Sequence, residues 1–339
     1  MALLTGPLPL ISPNSAAFAS QQDKGPSVVA LGGGHGLSAS LSALRLLTSE
    51  LTAIVTVADD GGSSGRLREE YGVLPPGDLR MALSALCDDT DWGRTWRDVM
   101  QHRFEPGKGR GGSLDAHAMG NLLIVTLWEL LGDTVAGLKW AGALLGARGE
   151  VLPMSSVPLT IEGQVRVTAP DGSSVLQTVT GQAKCAVAGS LEHVRLLPED
   201  APACLEALTA IEFADWVILG PGSWYTSVLP HLLLPEMLEA LCNTAARRCL
   251  TMNLDMDTKE TAGMTAADHL LALRDYAPGF TVDVVLADPA SVQDLPAFER
   301  AAGMLGAEVV LGKVGASGRR SVHDPLRLAT AYHDIFGNS

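Results

Sequence analysis

The chain has 339 residues, 47% of them apolar, which is enough material for a sizeable core and excludes disorder for the bulk. Its 24 Lys+Arg against 38 Asp+Glu leave a formal net charge of −14, so the broad basic footprint of a general nucleic-acid binder is missing. At about 150 residues per domain the length fits one large α/β unit or two smaller ones.

Residues 1–26 read as a disordered N-terminal tail. Ala17-Phe18-Ala19 resembles a signal-peptidase site, but no Lys or Arg precedes it and Pro7, Pro9 and Pro13 interrupt the apolar segment. The longest apolar stretches, such as Leu122 to Leu131, fall short of the ~18 residues of a membrane span, so no membrane insertion is expected. Five cysteines with no Cys-x-x-Cys pair fit a reduced, cytoplasmic protein.

From residue 27 onward strand and helix signals alternate. Ser27–Leu31 is a short buried strand, Leu37–Thr48 an amphipathic helix and Leu51–Ala58 a second strand. This β–loop–α–β unit implies a parallel sheet. Between its first two elements lies Gly32-Gly33-Gly34-His35-Gly36, where backbone N–H groups at a helix N-terminus favour an anion. The run is neither a full dinucleotide fingerprint nor a P-loop. After the second strand comes Asp59-Asp60-Gly61-Gly62-Ser63-Ser64-Gly65-Arg66, a carboxylate pair followed by a flexible Gly/Ser run. The pair suits a ribose hydroxyl, Mg²⁺ shared with a phosphate, or a general base. Arg66 and Arg80 are candidate phosphate partners, and Asp78 reads as the N-cap of a helix over Asp78–Leu86.

Arg103–Gly112 is the most loop-like internal segment, and Asn121 opens an apolar helix as either an N-cap or a ligand donor. From about residue 151 to 200 the texture becomes rich in Val and Thr: Val151–Ile161, Gln164–Thr168 and Leu176–Ala188, with a hairpin turn at Asp171-Gly172, read as a small antiparallel insertion. Parallel texture then returns with Trp216–Leu219, a helix over Leu232–Cys242, a strand Arg248–Leu254, a helix Ala266–Arg274 and a strand Val282–Leu286. The turn Gly220-Pro221-Gly222-Ser223, followed by Thr226 and Ser227, is a second hydroxyl-rich anion cradle. Asn253 sits at another strand end, and Thr265 with Asp268 forms a capping box. Most of these loops fall at C-terminal strand ends and so converge on one sheet edge, which suggests a nucleotide-like ligand. No His-Glu-x-x-His or Cys-x-x-Cys motif supports a zinc protease, and no Gly-x-Ser-x-Gly elbow is read that would support a serine hydrolase.

With these residues in view, the chain resembles the YvcK family of gluconeogenesis factors, non-transferase relatives of 2-phospho-L-lactate transferase (CofD). The resemblance runs from about Val28 to about Ala329. It rests on the Gly32–Gly36 run, Val57 to Arg66, Pro75-Pro76-Gly77-Asp78-Leu79-Arg80, Gly120-Asn121-Leu122, Gly220 to Ser223 with Thr226-Ser227, Asn253, Glu260-Thr261 with Asp268-His269, and His323-Asp324-Pro325. It implies a Rossmann-like α/β fold, a parallel sheet flanked by helices with the small antiparallel insertion, forming one domain over residues 27–335. It also implies a cytoplasmic protein that binds a UDP-sugar, notably UDP-N-acetylglucosamine, and acts in cell shape and envelope growth on gluconeogenic carbon sources. Two departures bear on the sugar: Met264 stands where the family often has Tyr, and Val322 where it often has Arg.

The leading expectation is therefore a regulatory nucleotide-sugar-binding protein. Gly32 to Gly36 and Gly220 to Ser223 take the diphosphate, Asp59 and Asp60 take hydroxyls directly or through Mg²⁺, and Asn121, Asn253, Glu260 and Thr261 complete the site. The alternative is a CofD-like transferase in which Asp59 or Asp60 deprotonates an acceptor hydroxyl while Mg²⁺ offsets donor charge. A dinucleotide-binding protein is a third reading. A homodimer and protein partners in envelope regulation are further expectations of the resemblance.

Overall fold

The computed structural model describes residues 25–105, 111–168, 173–189, 191–319 and 321–337. Seven strands form one parallel sheet: β1 (Val28–Gly32), β2 (Leu51–Val55), β3 (Glu150–Pro153), β7 (Trp216–Leu219), β8 (Arg247–Thr251), β9 (Val284–Ala287) and β10 (Glu308–Leu311), in the order β10-β9-β8-β7-β1-β2-β3. β1 and β7 are buried along their whole length, which is why they read as unbroken apolar runs rather than alternating ones. The chain builds outward from β1 through β2 to β3, then returns to β7 on the other side and builds outward again to β10. The two directions part between β1 and β7, and that is the topological switch point of the sheet.

Helices flank the sheet. The first half of the chain supplies α1 (Gly34–Leu44), α2 (Gly62–Tyr71), α3 (Pro76–Leu86), α4 (Asp91–Gln101), α5 (Met119–Leu131) and α6 (Thr134–Leu145), of which α1 and α3 reach the site. A second sheet of three antiparallel strands, β4 (Thr160–Thr168), β5 (Ser174–Thr180) and β6 (Leu191–Leu197), has the order β5-β4-β6 and carries a short helix, α7 (Gln182–Cys185). The core joins Leu31, Leu37, Leu41, Ile54 and Leu83 around the first crossover to Ile218, Leu250 and Leu286 beyond it.

Several expectations change. Val151–Ile161 divides: its first residues pair in parallel with β2 as part of the main sheet, and only its end enters the insertion. Leu176–Ala188 is not one strand, because Gly181 (φ +105°) turns the chain into α7. The run over Leu232–Cys242 breaks into two helices at Pro235. The Gly/Ser run after Asp60 is largely helical rather than flexible, since α2 begins at Gly62. Asp78 is not the N-cap of α3: Pro75 is, and Asp78 lies inside the first turn. The Thr265–Asp268 capping box is present in full. The tail expectation over residues 1–24, the Asp171-Gly172 turn and residues 106–110 of the Arg103–Gly112 loop lie outside the described residues. Among the described residues no helix is long and apolar enough to cross a membrane.

Candidate functional site

A cleft of about 890 Å³ opens at the switch point. The loop after β1 contributes Gly33 to Gly36, the loop after β7 contributes Pro221, Gly222 and Ser223, and β8 leads into Asn253. Thr226, Ser227, Lys259, Glu260, Val322 and His323 line it as well, and α7 supplies Gln182 and Ala183 as one wall.

The two glycine loops interlock, and each glycine is there for a different reason. Gly33 is the extended residue before α1, with no side chain to cap the helix. A Cβ on it would lie 2.5 Å from Thr56 Cγ2 and 2.6 Å from Asp78 Oδ2. Gly34 has φ +57°, a conformation that disfavours side chains, yet an added Cβ would meet only Asp78 Oδ1, at 3.9 Å. Gly36 is set by close approach instead, since a Cβ there would lie 2.2 Å from the backbone oxygen of Pro221. Gly32 ends β1 beneath this turn. The first-turn N–H groups of α1 at His35 and Gly36 have no partner within the helix, and both residues line the cleft.

Asp78 reaches this turn from α3. Its Oδ1 would lie 3.9 Å from a Cβ on Gly34, and its pKa is pushed up to about 7. Burial is the main cause and the negative charge of Asp59 adds to it, while the Gly34 N–H and Arg80 oppose it.

The second loop follows the same logic. Gly220 (φ +71°) packs against Thr251 O, and Asn253 clasps Gly222 at both ends: its Oδ1 accepts the Gly222 N–H at 2.9 Å and its Nδ2 donates to the Gly222 carbonyl at 2.8 Å. The chain then enters a π-helix, Trp224–Val228. Glu260 serves this helix start as Asp78 serves α1. It accepts the Thr226 hydroxyl at 3.3 Å, and burial pushes its pKa up to about 7 while the backbone of Trp224 and Tyr225 opposes the shift. Thr261 is buried and donates to Met256 O at 2.7 Å, which shapes the loop that carries Glu260. Each glycine turn thus already holds a buried carboxylate at its helix start.

The remaining predicted residues stand elsewhere. Asp59 Oδ1 accepts the Gly61 N–H at 2.9 Å, and its carboxyl is pushed up by burial, though its hydrogen bonds to Gly61 and Ser64 hold it back. Asp60 is exposed, and its Oδ1 accepts the Ala183 N–H of α7 at 2.9 Å. Ser64 Oγ accepts the Gly77 N–H, and Arg66 donates to Asp115 O. Ser63, Asn121 and Arg80 form a network behind the cleft. Asn121 Nδ2 donates to Ser63 Oγ at 3.0 Å while its Oδ1 accepts from Arg80 Nε at 2.9 Å, and Arg80 also bonds Gln101. None of Asp59, Asp60, Ser63, Ser64, Arg66 and Asn121 is among the lining residues of the cleft. Among the described residues no group of three or more His, Cys, Asp or Glu is placed to hold a metal ion, so the Asp59-Asp60 pair does not form a protein cage for Mg²⁺.

Sequence reasoning missed two features. It left Asp78, Gln182, Lys259 and His323 out of the site; Asp78 looked like an ordinary cap, and Gln182 lies in the insertion, far along the chain. It also passed over the Gly-x-Ser-x-Gly spacing of Gly61-Gly62-Ser63-Ser64-Gly65, which follows a strand and enters a helix as a nucleophile elbow does. Ser63 Oγ lies 3.1 Å from His117 Nδ1, but both residues are buried and the hydroxyl also accepts from Ala118 N and Asn121 Nδ2. That hydroxyl is a packing element, closed to substrate. Of the two departures from the family pattern, Val322 lines the cleft, whereas Met264 receives the Tyr225 hydroxyl on its sulfur at 3.6 Å.

A parallel sheet with its cleft between the two glycine turns of the switch point defines a Rossmann-like α/β protein. Residues 28–307 match the family of 2-phospho-L-lactate transferase CofD. A Mycobacterium leprae protein described as a "Putative gluconeogenesis factor" is 50% identical over 314 residues, covering 91% of this chain and 86% of its own. The "Gluconeogenesis factor" of Halalkalibacterium halodurans is 40% identical over 272 residues, covering 80% of each chain. A crystal structure of a UPF0052 family protein from Bacillus halodurans superposes with a TM-score of 0.78 at 35% identity, covering 91% of this chain and 98% of the other. The chain belongs to the CofD family, in its YvcK branch of gluconeogenesis factors.

Proposed function

We propose that this protein binds a nucleotide sugar of the UDP-N-acetylglucosamine type in the switch-point cleft and acts as a regulator rather than as an enzyme. The observation that carries the reading is the pair of glycine turns, after β1 and after β7, packed together and both lining one cleft. The diphosphate lies over the first turn of α1, where Gly34 leaves room and His35 and Gly36, whose N–H groups have no partner within the helix, line the cleft. Asn253 keeps the second turn in shape, and Glu260 accepts hydrogen bonds from sugar or ribose hydroxyls. Lys259 is the sole lysine or arginine among the described lining residues, so backbone donors carry most of the phosphate recognition.

The names of the relatives support a role on gluconeogenic carbon sources, and cell-envelope growth is the process in which a UDP-amino-sugar sensor would serve. A CofD-like transferase is the weaker reading, because the carboxylates it would use as base each hold a backbone N–H and neither lines the cleft. Thermal-shift measurement separates nucleotide recognition from none. A ligand at a hundred times its dissociation constant adds about 2.7 kcal/mol of apparent stability. UDP-N-acetylglucosamine and UDP are expected to raise Tm and uridine to leave it unchanged; equal shifts with all three would sink the phosphate assignment. Turnover of a GDP-linked donor with a deazaflavin acceptor would instead favour the transferase.

A further inference from the structure

One wall of the cleft comes from outside the parallel sheet. Gln182 and Ala183 line it from α7, which belongs to the antiparallel insertion. What seats α7 there is specific. Asp60, in the loop between β2 and α2, puts Oδ1 on the Ala183 N–H at 2.9 Å, across 123 residues of chain. Its other oxygen lies against Gly181, where an added Cβ would come within 2.0 Å of Oδ2. Gly181 (φ +105°) is therefore glycine for two reasons, its backbone conformation and this carboxylate. The Asp60 backbone is itself clamped: a Cβ on Gly65 of α2 would lie 2.1 Å from Asp60 O. On the far side Gln182 Nε2 donates to Thr226 O at 3.1 Å, which joins the same short helix to the π-helix of the second glycine turn.

We propose that Asp60 is a positioning residue that latches the insertion against the parallel sheet and thereby sets this wall of the cleft. In this role it touches neither ligand nor metal. The inference rests on the switch-point cleft being the binding site, as proposed above, but the latch itself is readable without any ligand. A carboxylate that accepts one backbone N–H and packs flat on a glycine is doing positional work, and an asparagine oxygen can do the same.

Hydrogen exchange of the full-length, ligand-free protein tests the latch. In Asp60→Ala the amides of residues 182–186 are expected to exchange about tenfold faster, the factor that a good ordinary hydrogen bond is worth, with β1 unchanged. Asp60→Asn should stay near wild type. Gly181→Ala should loosen the same amides, and combining it with Asp60→Ala should add little. Wild-type exchange in Asp60→Ala, or an Asp60→Asn variant as loose as Asp60→Ala, overturns the latch. Titration with UDP-N-acetylglucosamine, with Mg²⁺ and with EDTA, supplies the second arm. Affinity should fall several-fold in Asp60→Ala, hold in Asp60→Asn, and not depend on Mg²⁺ in either. Loss of affinity in Asp60→Asn only when Mg²⁺ is present would make Asp60 a metal ligand and overturn the proposal. A wild-type protein that ignores UDP-N-acetylglucosamine would remove the proposed ligand, while the exchange result would still decide the latch.

Discussion

The Asp78 carboxylate lies against the backbone of Gly33, where an added Cβ would come within 2.6 Å of Oδ2, so the first turn of α1 holds an anion of its own before any ligand arrives. A diphosphate at the same turn meets that charge at short range. Protonation of Asp78, whose pKa already stands at about 7, relieves the repulsion without loss of the fold.

Affinity for a UDP-sugar is accordingly expected to rise as pH falls from 8 to 6, with proton uptake on binding. The diphosphate of such a ligand keeps its charge across this range, so the change belongs to the protein. Calorimetric titration in two buffers of different ionisation enthalpy counts the protons. Asp78→Asn should flatten the profile; an unchanged slope would place the phosphate away from this turn.

The same carboxyl shapes stability. Its folded-state pKa is raised, so between about pH 4 and pH 7 the folded protein binds more protons than the unfolded chain and stability declines as pH rises. Glu260, also raised to about 7, acts in the same direction. Each pH unit of displacement corresponds to about 1.4 kcal/mol. Chemical denaturation at pH 5 and pH 8 should show Asp78→Asn gaining on wild type at the higher pH. A gain at the lower pH instead would contradict the assignment.

Gly34 and Gly36 should respond in opposite ways. A valine at Gly34 enters open space in the cleft at a positive φ, which costs about 1–3 kcal/mol of strain. Gly34→Val is expected to abolish UDP-sugar binding while far-UV circular dichroism stays near wild type. Even Gly36→Ala drives a methyl into the backbone of Pro221 and should lower Tm markedly. Equal effects on both readouts would mean that the loop is packing alone.

Asn121→Ala should destabilise without touching the site. The change leaves Arg80 Nε and Ser63 Oγ short of a buried partner, a loss of about 1–3 kcal/mol. Affinity for a UDP-sugar should hold in the protein that remains folded, and a selective loss of binding would restore Asn121 as a ligand donor.

The site was legible where local chemistry carries it. Glycine runs that close apolar strands at Gly32 and Gly220 mark turns at strand ends, and in a parallel sheet those ends share one edge. What sequence spacing could not convey was long-range pairing. Asp60 looks like a ligand carboxylate until α7, more than a hundred residues on, is seen docked against it. Asp78 looks like a cap because a carboxylate in a first turn usually is one. Helix α2 was hidden by Gly62, Ser63 and Gly65, poor helix formers that the close approach of Gly65 to Asp60 and the buried contacts of Ser63 hold in place. Val151–Pro153 joins the main sheet because β2 offers it a free edge, which no property of its own residues reveals.

The most direct measurement is the hydrogen-exchange footprint of UDP-N-acetylglucosamine on the wild-type protein. Protection is expected at residues 34–36 and 222–227, the two glycine turns of the switch point, with no change in the smaller hollow beside Leu83 and Lys139. Protection confined to that hollow, or none at saturating ligand, would contradict the assignment of the cleft.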